Sequence, residues 1–157
     1  MKKIFLSILM SLFVSLAVFA DGQQEALEFF NNYVNAANTY SPTIPGMYSP
    51  TAKIIRQVVK PDGTTVNAST DTSTYIKQMK LGQATAKLKH YKNTYTNIVV
   101  TSHGEGEYKI SSLRQPSGED YKLKTYMIVK KQPNGKWLIV EEMMQTKVQM
   151  FLKYADK

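Results

Sequence analysis

Three short turns of similar composition constrain the fold of this chain more than any other feature. They are KPDGT at 60–64, QPSGE at 115–119 and QPNGK at 132–136. In each turn the proline presets the first turn position, and the glycine takes a left-handed conformation that other residues disfavour. Because strand-like residues flank all three segments, each predicts a tight β-hairpin.

The remaining pattern predicts two helices and six strands. Apolar residues at 26, 27, 30, 33, 34 and 37 share one helical face, which predicts a helix over 23–40. Capping residues at 71–73 precede a second helical pattern within 71–90, in which Gly82 either ends the helix or separates a short third one. The final segment, 148–157, suits a strand extension, a short helix or a frayed end. The strands are predicted at 52–60, 64–69, 94–103, 107–115, 119–132 and 136–147.

This order of elements predicts an α+β domain, with N-terminal helices packed on a curved antiparallel sheet of about six strands. The order resembles the nuclear transport factor 2-like superfamily, whose cone-shaped fold is shared with ketosteroid isomerases and polyketide cyclases. The resemblance spans 21–147 and rests on EALEFFNNYVNA in the first helix, MYSPTAKI at 47–54 and NGKWLIVEEMM at 134–144. It implies a fold and not a function, because that superfamily includes enzymes, binding proteins and assembly modules.

The first twenty residues are typical of a secretory signal peptide. Two lysines precede an uncharged apolar run, and small residues end it at Ala20. We therefore expect cleavage after Ala20, a periplasmic or secreted bacterial protein, and one domain over 21–157 without a stable membrane anchor. An uncleaved anchor is the alternative, since 4–20 is only just long enough to span a bilayer. The chain has no cysteine, which excludes a lipoprotein anchor, disulfides and thiolate chemistry.

The chain is basic, which favours anionic partners. Its net charge is +8, and removing Lys2 and Lys3 leaves 8 − 2 = +6. Membrane surfaces, polysaccharides and acidic proteins suit such a balance, whereas export argues against nucleic acid. The lysines are dispersed, which also fits a solvated surface. His90 and His103 have no ligand partner at metal-binding spacing, so no metal or other cofactor is predicted.

The register that tight turns would impose predicts a polar row across one face of the sheet. If residue 132 faces 136, 115 faces 119 and 103 faces 107, then Ser102, Tyr108, Tyr126 and Glu142 align. Both faces of this sheet are apolar, so we expect helices on one face and a second copy of the chain, in a homodimer, on the other. Glu141 then pairs at the rim with a lysine such as Lys131 or Lys109.

These residues predict an exported, non-catalytic domain that binds a small apolar or amphipathic molecule, or a protein partner. The polar contacts are assigned to Ser102, Tyr108, Tyr126 and Glu142, and the apolar lid to Phe30 and Tyr33. No catalytic residue is assigned. One alternative is a small cofactor-free isomerase, cyclase or hydratase that uses Glu142 or His103. Another is a basic exported adaptor or inhibitor of an acidic protein.

Overall fold

The computed structural model describes residues 21–156 as an α+β domain, and the predicted signal peptide lies outside the described residues. A first helix, α1, occupies 21–38. It is followed by β1 (Tyr48–Val59), β2 (Thr65–Asp71), α2 (Thr72–Leu88), β3 (Asn93–Gly104), β4 (Glu107–Pro116), β5 (Leu123–Lys131) and β6 (Trp137–Thr146). Two short 3-10 helices complete the domain, η1 (Ile44–Met47) before β1 and η2 (Gln149–Tyr154) after β6. The final segment is thus a short helix.

Both helices form where the residue pattern predicts them. The apolar stripe of α1 buries Ala26, Phe30 and Tyr33. Helix α2 begins at the capping residue Asp71, whose side chain accepts a hydrogen bond from the Thr74 amide at 2.8 Å. It then continues without interruption through Gly82, so glycine at this position neither ends the helix nor divides it.

The six strands form one mixed sheet in the order β2-β1-β6-β5-β4-β3. Neighbouring strands are antiparallel except for β1 and β6, which pair in parallel. This pairing departs from the expected wholly antiparallel sheet. A parallel pair needs a long crossover connection, and the chain from β2 to β5 supplies it here. The first and last strands of the domain therefore lie side by side inside the sheet, with only β2 between β1 and one edge.

Two of the three turns close as predicted. The Lys60 amide donates to the Thr64 carbonyl at 2.9 Å, and the Gln132 amide donates to the Lys136 carbonyl at 2.8 Å. Gly63 and Gly135 take positive φ angles of 83° and 81°, as these turns require.

The third turn, at 115–119, forms locally but does not close a tight hairpin. Gly118 has the expected positive φ, yet the strands pair only from Arg114 opposite Leu123. The Ser117 amide instead donates to the Lys92 carbonyl at 2.8 Å, which extends β4 along β3. The prediction that 115 faces 119 was therefore wrong, and the strand predicted from 119 begins at Leu123.

The predicted polar row does not form, because two registers differ from those that tight turns would impose. Ser102 does face Tyr108, as predicted. Tyr108, however, faces Val129, and Tyr126 faces Ser111 and Met143. In β6 an irregularity at Val140 shifts the pairing by one residue, so that Glu142 faces Met127. Tyr126 and Glu142 consequently lie on opposite faces of the sheet.

The α1 layer covers one face of the sheet, called the inner face here. Its core contains the following residues: Ala26, Phe30, Tyr33, Ile44, Tyr48, Ala52, Ile54, Tyr108, Ile110, Met127, Val129 and Ile139. The opposite, outer face carries Tyr126, Glu141 and Met143, and its Val99 side chain is 55% exposed. A second copy of the chain on the outer face stays a prediction.

Candidate functional site

A fully buried carboxylate, Glu142, lies at the centre of the inner face. Its side chain is 0% exposed. Oε2 accepts hydrogen bonds from the Tyr48 hydroxyl at 2.5 Å and from the Tyr33 hydroxyl at 3.4 Å. Oε1 forms an ion pair with Nη1 of Arg56 at 3.0 Å. Both carboxylate oxygens therefore have partners within the protein, as burial of a charge requires.

The strands place this ion pair by simple alternation. Ile54, Arg56 and Val58 occupy every second position of β1, so Arg56 points to the inner face between two fully buried apolar side chains. Ile54 faces Glu142 across the parallel pairing, and Arg56 is two residues further along β1. The pair thus bridges two neighbouring strands diagonally.

Tyrosines complete the cluster around the ion pair. The Arg56 guanidinium lies over the Tyr75 ring, 4.9 Å from its centroid, and Tyr75 packs edge-on against Tyr48 at 5.5 Å between centroids. Tyr33 contributes from α1, Tyr48 and Arg56 from β1, Tyr75 from α2 and Glu142 from β6. We call these five residues the buried cluster.

The electrostatics of the cluster keep its tyrosines neutral and its arginine charged. Burial, with the nearby Glu142 charge, raises the pKa values of Tyr33 and Tyr48 well above the usual value for tyrosine. Burial by itself would lower the pKa of Arg56, but its electrostatic interactions with Tyr75 and Glu142 outweigh that effect and raise it. The tyrosines therefore act as hydrogen-bond donors, and the ion pair has no net charge.

A cavity of about 540 Å³ opens beside the cluster, between α2, β2 and η2. Arg56 and Tyr75 form its inner wall, and the Arg56 side chain is 17% exposed. The other lining residues are Ala68, Ser69, Thr70, Thr74, Gln78, Met79, Phe151 and Tyr154. Most of the lining surface is apolar, and Arg56 and four hydroxyl or amide side chains add hydrogen-bonding groups, so the cavity suits an amphipathic molecule.

The carboxyl-terminal segment is fastened over one side of this cavity. Asp156 accepts hydrogen bonds from the amide and hydroxyl of Ser69 at 2.8 and 2.6 Å. Its own amide donates to the Asn67 carbonyl at 2.8 Å. The Gln149 side chain donates to the Val59 carbonyl at 2.9 Å, which fixes the other end of η2. Phe151 and Tyr154 are thereby held in the cavity wall.

A smaller cavity of about 270 Å³ lies between α1 and α2. Tyr33, Tyr75 and Met79 belong to its lining, and the last two also line the larger cavity. The side chains of Tyr75 and Met79 therefore separate the two spaces.

The residues predicted from the sequence do not come together at one site. Glu142 and Tyr33 meet in the buried cluster. Phe30 is buried in the core, edge-on to Tyr95 at 5.4 Å between centroids. Tyr108 is buried against Trp137, and its neighbour Ser102 is exposed.

Tyr126 lies apart from these residues, on the outer face. Its hydroxyl donates to Glu141 at 2.5 Å, and Lys109 lies over its ring at 4.2 Å. Glu141 therefore has a tyrosine partner, and neither Lys131 nor Lys109 forms an ion pair with it. Lys131 instead pairs with Glu25 at 2.7 Å.

The sequence prediction missed three members of the cluster, namely Tyr48, Arg56 and Tyr75. The signal for Arg56 was present. Arg56 is one of two arginines in the chain, and it takes the middle position of the alternating series Ile54, Arg56, Val58. Because a charged side chain in an apolar series must be buried with its neighbours, it needs a buried partner of opposite charge. Nothing local in the sequence identifies Tyr48 or Tyr75 as members of the buried cluster, because both reach it through tertiary packing.

His103 and the acidic residues do not form a metal site in the described part of the chain. His103 is exposed near the end of β3. Across residues 21–156, no group of three or more histidine, aspartate or glutamate side chains is placed to hold a metal ion. Over the same residues, no helix has both the length and the apolar character needed to cross a bilayer.

Comparison with solved structures shows the kind of fold. The structure is similar to an NTF2-like protein of unknown function from Shewanella oneidensis, with a TM-score of 0.56 and 10% identity over 78% of this chain and 98% of the other. It is also similar to a DUF3225-family protein of unknown function from Pectobacterium atrosepticum (TM-score 0.58, 20% identity, 80% and 91% coverage). A ketosteroid isomerase candidate from Shewanella frigidimarina gives a TM-score of 0.54 at 17% identity, over 74% and 91% of the two chains.

These similarities establish an NTF2-like fold. No protein-family model and no curated protein matches the sequence. At such low identity the similarity extends to the fold alone, and the expected resemblance is confirmed at that level.

Proposed function

We propose that this protein binds a small amphipathic molecule, without transforming it, in the cavity between α2, β2 and η2. The polar end of the ligand contacts Arg56 and the hydroxyl and amide side chains around it. The apolar body lies against Met79, Phe151 and Tyr154. A cavity of about 540 Å³ lies within the range of small-molecule sites.

One observation carries this proposal, namely the complete enclosure of Glu142. A general base must reach the proton that it abstracts, directly or through one water. Glu142 is 0% exposed, and its two oxygens are engaged by Arg56, Tyr48 and Tyr33. This arrangement supports a structural role for Glu142, in which it positions Arg56 in the cavity wall.

The same enclosure favours a neutral ligand. Arg56 enters the cavity wall already paired with a carboxylate, so the pair offers hydrogen-bond donors without a net positive charge. A second anion at this position would gain little from a guanidinium that Glu142 already neutralises. A carbonyl, ether or hydroxyl oxygen on an otherwise apolar molecule suits the site better.

The enzyme alternative receives less support from the geometry. A proton-transfer enzyme would need Glu142 or His103 beside the cavity, and the lining of this cavity includes neither. Two solved structures of similar fold are named as a ketosteroid isomerase candidate and a ring hydroxylase candidate, and these names describe those two proteins and assign no reaction to this chain.

Export remains part of our proposal. An amino terminus at Asp21 in protein purified from its own host would support it.

Filling the cavity tests the proposal directly. Thr70 is on β2 and lines the cavity, so Thr70→Phe should abolish the fluorescence increase of the neutral probe N-phenyl-1-naphthylamine. Thr65→Phe, at an exposed site of the same strand outside the lining, is the matched control and should leave the increase unchanged. Equal probe binding by both variants would contradict the site.

Native mass spectrometry supplies the second test. Protein purified from its own host should carry a retained molecule, and the Thr70→Phe variant expressed in that host should not. A retained molecule of equal abundance in both proteins would place binding elsewhere. The same spectra report the number of subunits, which tests the predicted homodimer.

A further inference from the structure

Helix α2 exposes two leucine side chains to solvent and does not bury them in the core. The side chains of Leu81 and Leu88 are 82% and 80% exposed. They are seven residues apart, so they lie on the same side of the helix, two turns from each other. Single exposed leucines are ordinary, but two in phase on one helix form an apolar ridge.

The ridge is bordered by positive charge alone. Lys77, Lys80 and Lys87 are exposed on α2, and no aspartate or glutamate occurs from Thr72 to Leu88. The three ion pairs of the described residues use other basic side chains. We call Leu81, Leu88 and these three lysines the leucine–lysine surface.

The leucine–lysine surface continues to the rim of the cavity. Thr74 and Gln78 line the cavity, and they precede Leu81 by seven and three residues, which places them on the same side of α2. On the opposite rim, η2 exposes Met150 and Tyr154, at 66% and 61%. Lys153 lies over the Tyr154 ring at 4.8 Å, so this rim also joins apolar surface with a cation.

We propose that the leucine–lysine surface docks this protein on an anionic lipid membrane. Exposed apolar side chains can insert between lipid headgroups, and lysines with no acidic residue among them attract anionic lipid. The ridge is convex, so a protein partner would need a complementary groove, whereas a fluid bilayer accommodates a ridge at any position. This inference does not depend on what the cavity binds.

A fluorophore at the ridge tests the proposal without interference from the amino-terminal segment. The chain has no cysteine, so Leu88→Cys can be labelled with a nitrobenzoxadiazole dye at one position. Its emission should shift to shorter wavelength on vesicles of phosphatidylcholine and phosphatidylglycerol. The same dye at His103→Cys, an exposed position on β3, should not shift. Leu81→Cys is the second ridge position, in case labelling at 88 perturbs the fold.

The outcomes separate the possible occupants. A shift at position 88 that is absent on phosphatidylcholine alone supports an anionic membrane. No shift at 81 and 88, or an equal shift at 103, overturns the proposal. An acidic protein as the true partner would give the first of these negative results, since vesicles would leave the ridge in water.

Removal of the lysine charges measures the electrostatic contribution to vesicle binding. Since each lysine near such a membrane contributes about 1 kcal/mol, Lys77→Gln, Lys80→Gln and Lys87→Gln together should weaken vesicle binding of the full chain roughly 100-fold. The control variant Lys60→Gln with Lys136→Gln, at two hairpin turns, should change binding far less. Equal losses in the two variants would show that total charge, and not this surface, governs binding.

Discussion

Glu141 and Glu142 are consecutive residues with opposite environments. Each accepts a hydrogen bond of 2.5 Å from a tyrosine hydroxyl, Glu141 from Tyr126 and Glu142 from Tyr48. Glu142 is sealed on the inner face and paired with Arg56, whereas Glu141 is half-buried on the outer face. The same carboxylate–phenol contact therefore occurs once in a dry core and once beside solvent.

A structural ion pair and a surface contact therefore arise at adjacent positions of the sequence. Alternation sends neighbouring residues to opposite faces of a sheet, and the extra residue Val140 decides which face each glutamate takes. The energetic consequences should differ sharply, because a buried charge without its partner retains its full desolvation penalty.

Removing each carboxylate should give the largest difference between the two faces. Glu142→Ala leaves the Arg56 guanidinium without a counter-charge in the core and should lower the free energy of unfolding by about 3–5 kcal/mol. Glu141→Ala should lower it by less than about 1 kcal/mol, since solvent can hydrate the groups left behind. Urea denaturation of both variants measures the difference, and equal losses would contradict it.

A double variant checks the cause of the large loss. Replacing the pair by Arg56→Met with Glu142→Leu removes both charges together and should recover most of the stability that Glu142→Ala loses. If the double variant is less stable than Glu142→Ala, the loss reflects altered packing and not an unpaired charge.

The tyrosine hydroxyls should show the same contrast at smaller scale. Tyr48→Phe removes a buried hydrogen bond to a charged group and should cost about 1.5–3 kcal/mol. Tyr126→Phe removes a hydrogen bond of similar length at a partly exposed site and should cost less than about 1 kcal/mol. Denaturant midpoints with unchanged slopes would establish both values, and a larger loss at 126 would reverse our ordering.

Alkaline pH should lower the free energy of unfolding through tyrosines on both faces, and this is the smallest but most specific effect that we expect. Burial and the Glu141 hydrogen bond raise the pKa of Tyr126 to about 12, and burial beside Glu142 raises the pKa of Tyr48 well above its usual value. Because unfolded tyrosines ionise near pH 10, this stability is present below about pH 10 and is lost as the pH rises. Tyr126→Phe should reduce the loss between pH 10 and 12, and Tyr48→Phe should also reduce the loss above pH 10.

Denaturation followed from pH 9 upward provides the measurement. A loss of stability above pH 10 that neither substitution reduces would show that the two phenols do not keep their protons in the folded state.

The helices, the strands and two turns could be predicted because their causes are local. The apolar spacing in α1, the Asp71 cap and the Pro-x-Gly segments at 60–64 and 132–136 act over a few residues. The loop after Gly118 and the irregularity at Val140 could not, because both depend on pairing with distant strands. One such shift was enough to move Tyr126 and Glu142 to opposite faces.

The buried cluster could be predicted only in part for the same reason. Glu142 and Tyr33 were identified as candidates, but their grouping with Arg56 requires the parallel pairing of β1 and β6. Antiparallel hairpins follow from turn chemistry, whereas a pairing between the first and last strands has no signal in either strand alone.

That parallel pairing also has a kinetic consequence. Arg56 and Glu142 are 86 residues apart in the chain, so their contact closes one of its long loops. Until β6 pairs with β1, Arg56 has no Glu142 carboxylate to replace its hydration shell. Because such distant contacts slow folding, docking of β6 beside β1 should be the late step in which the core loses its water.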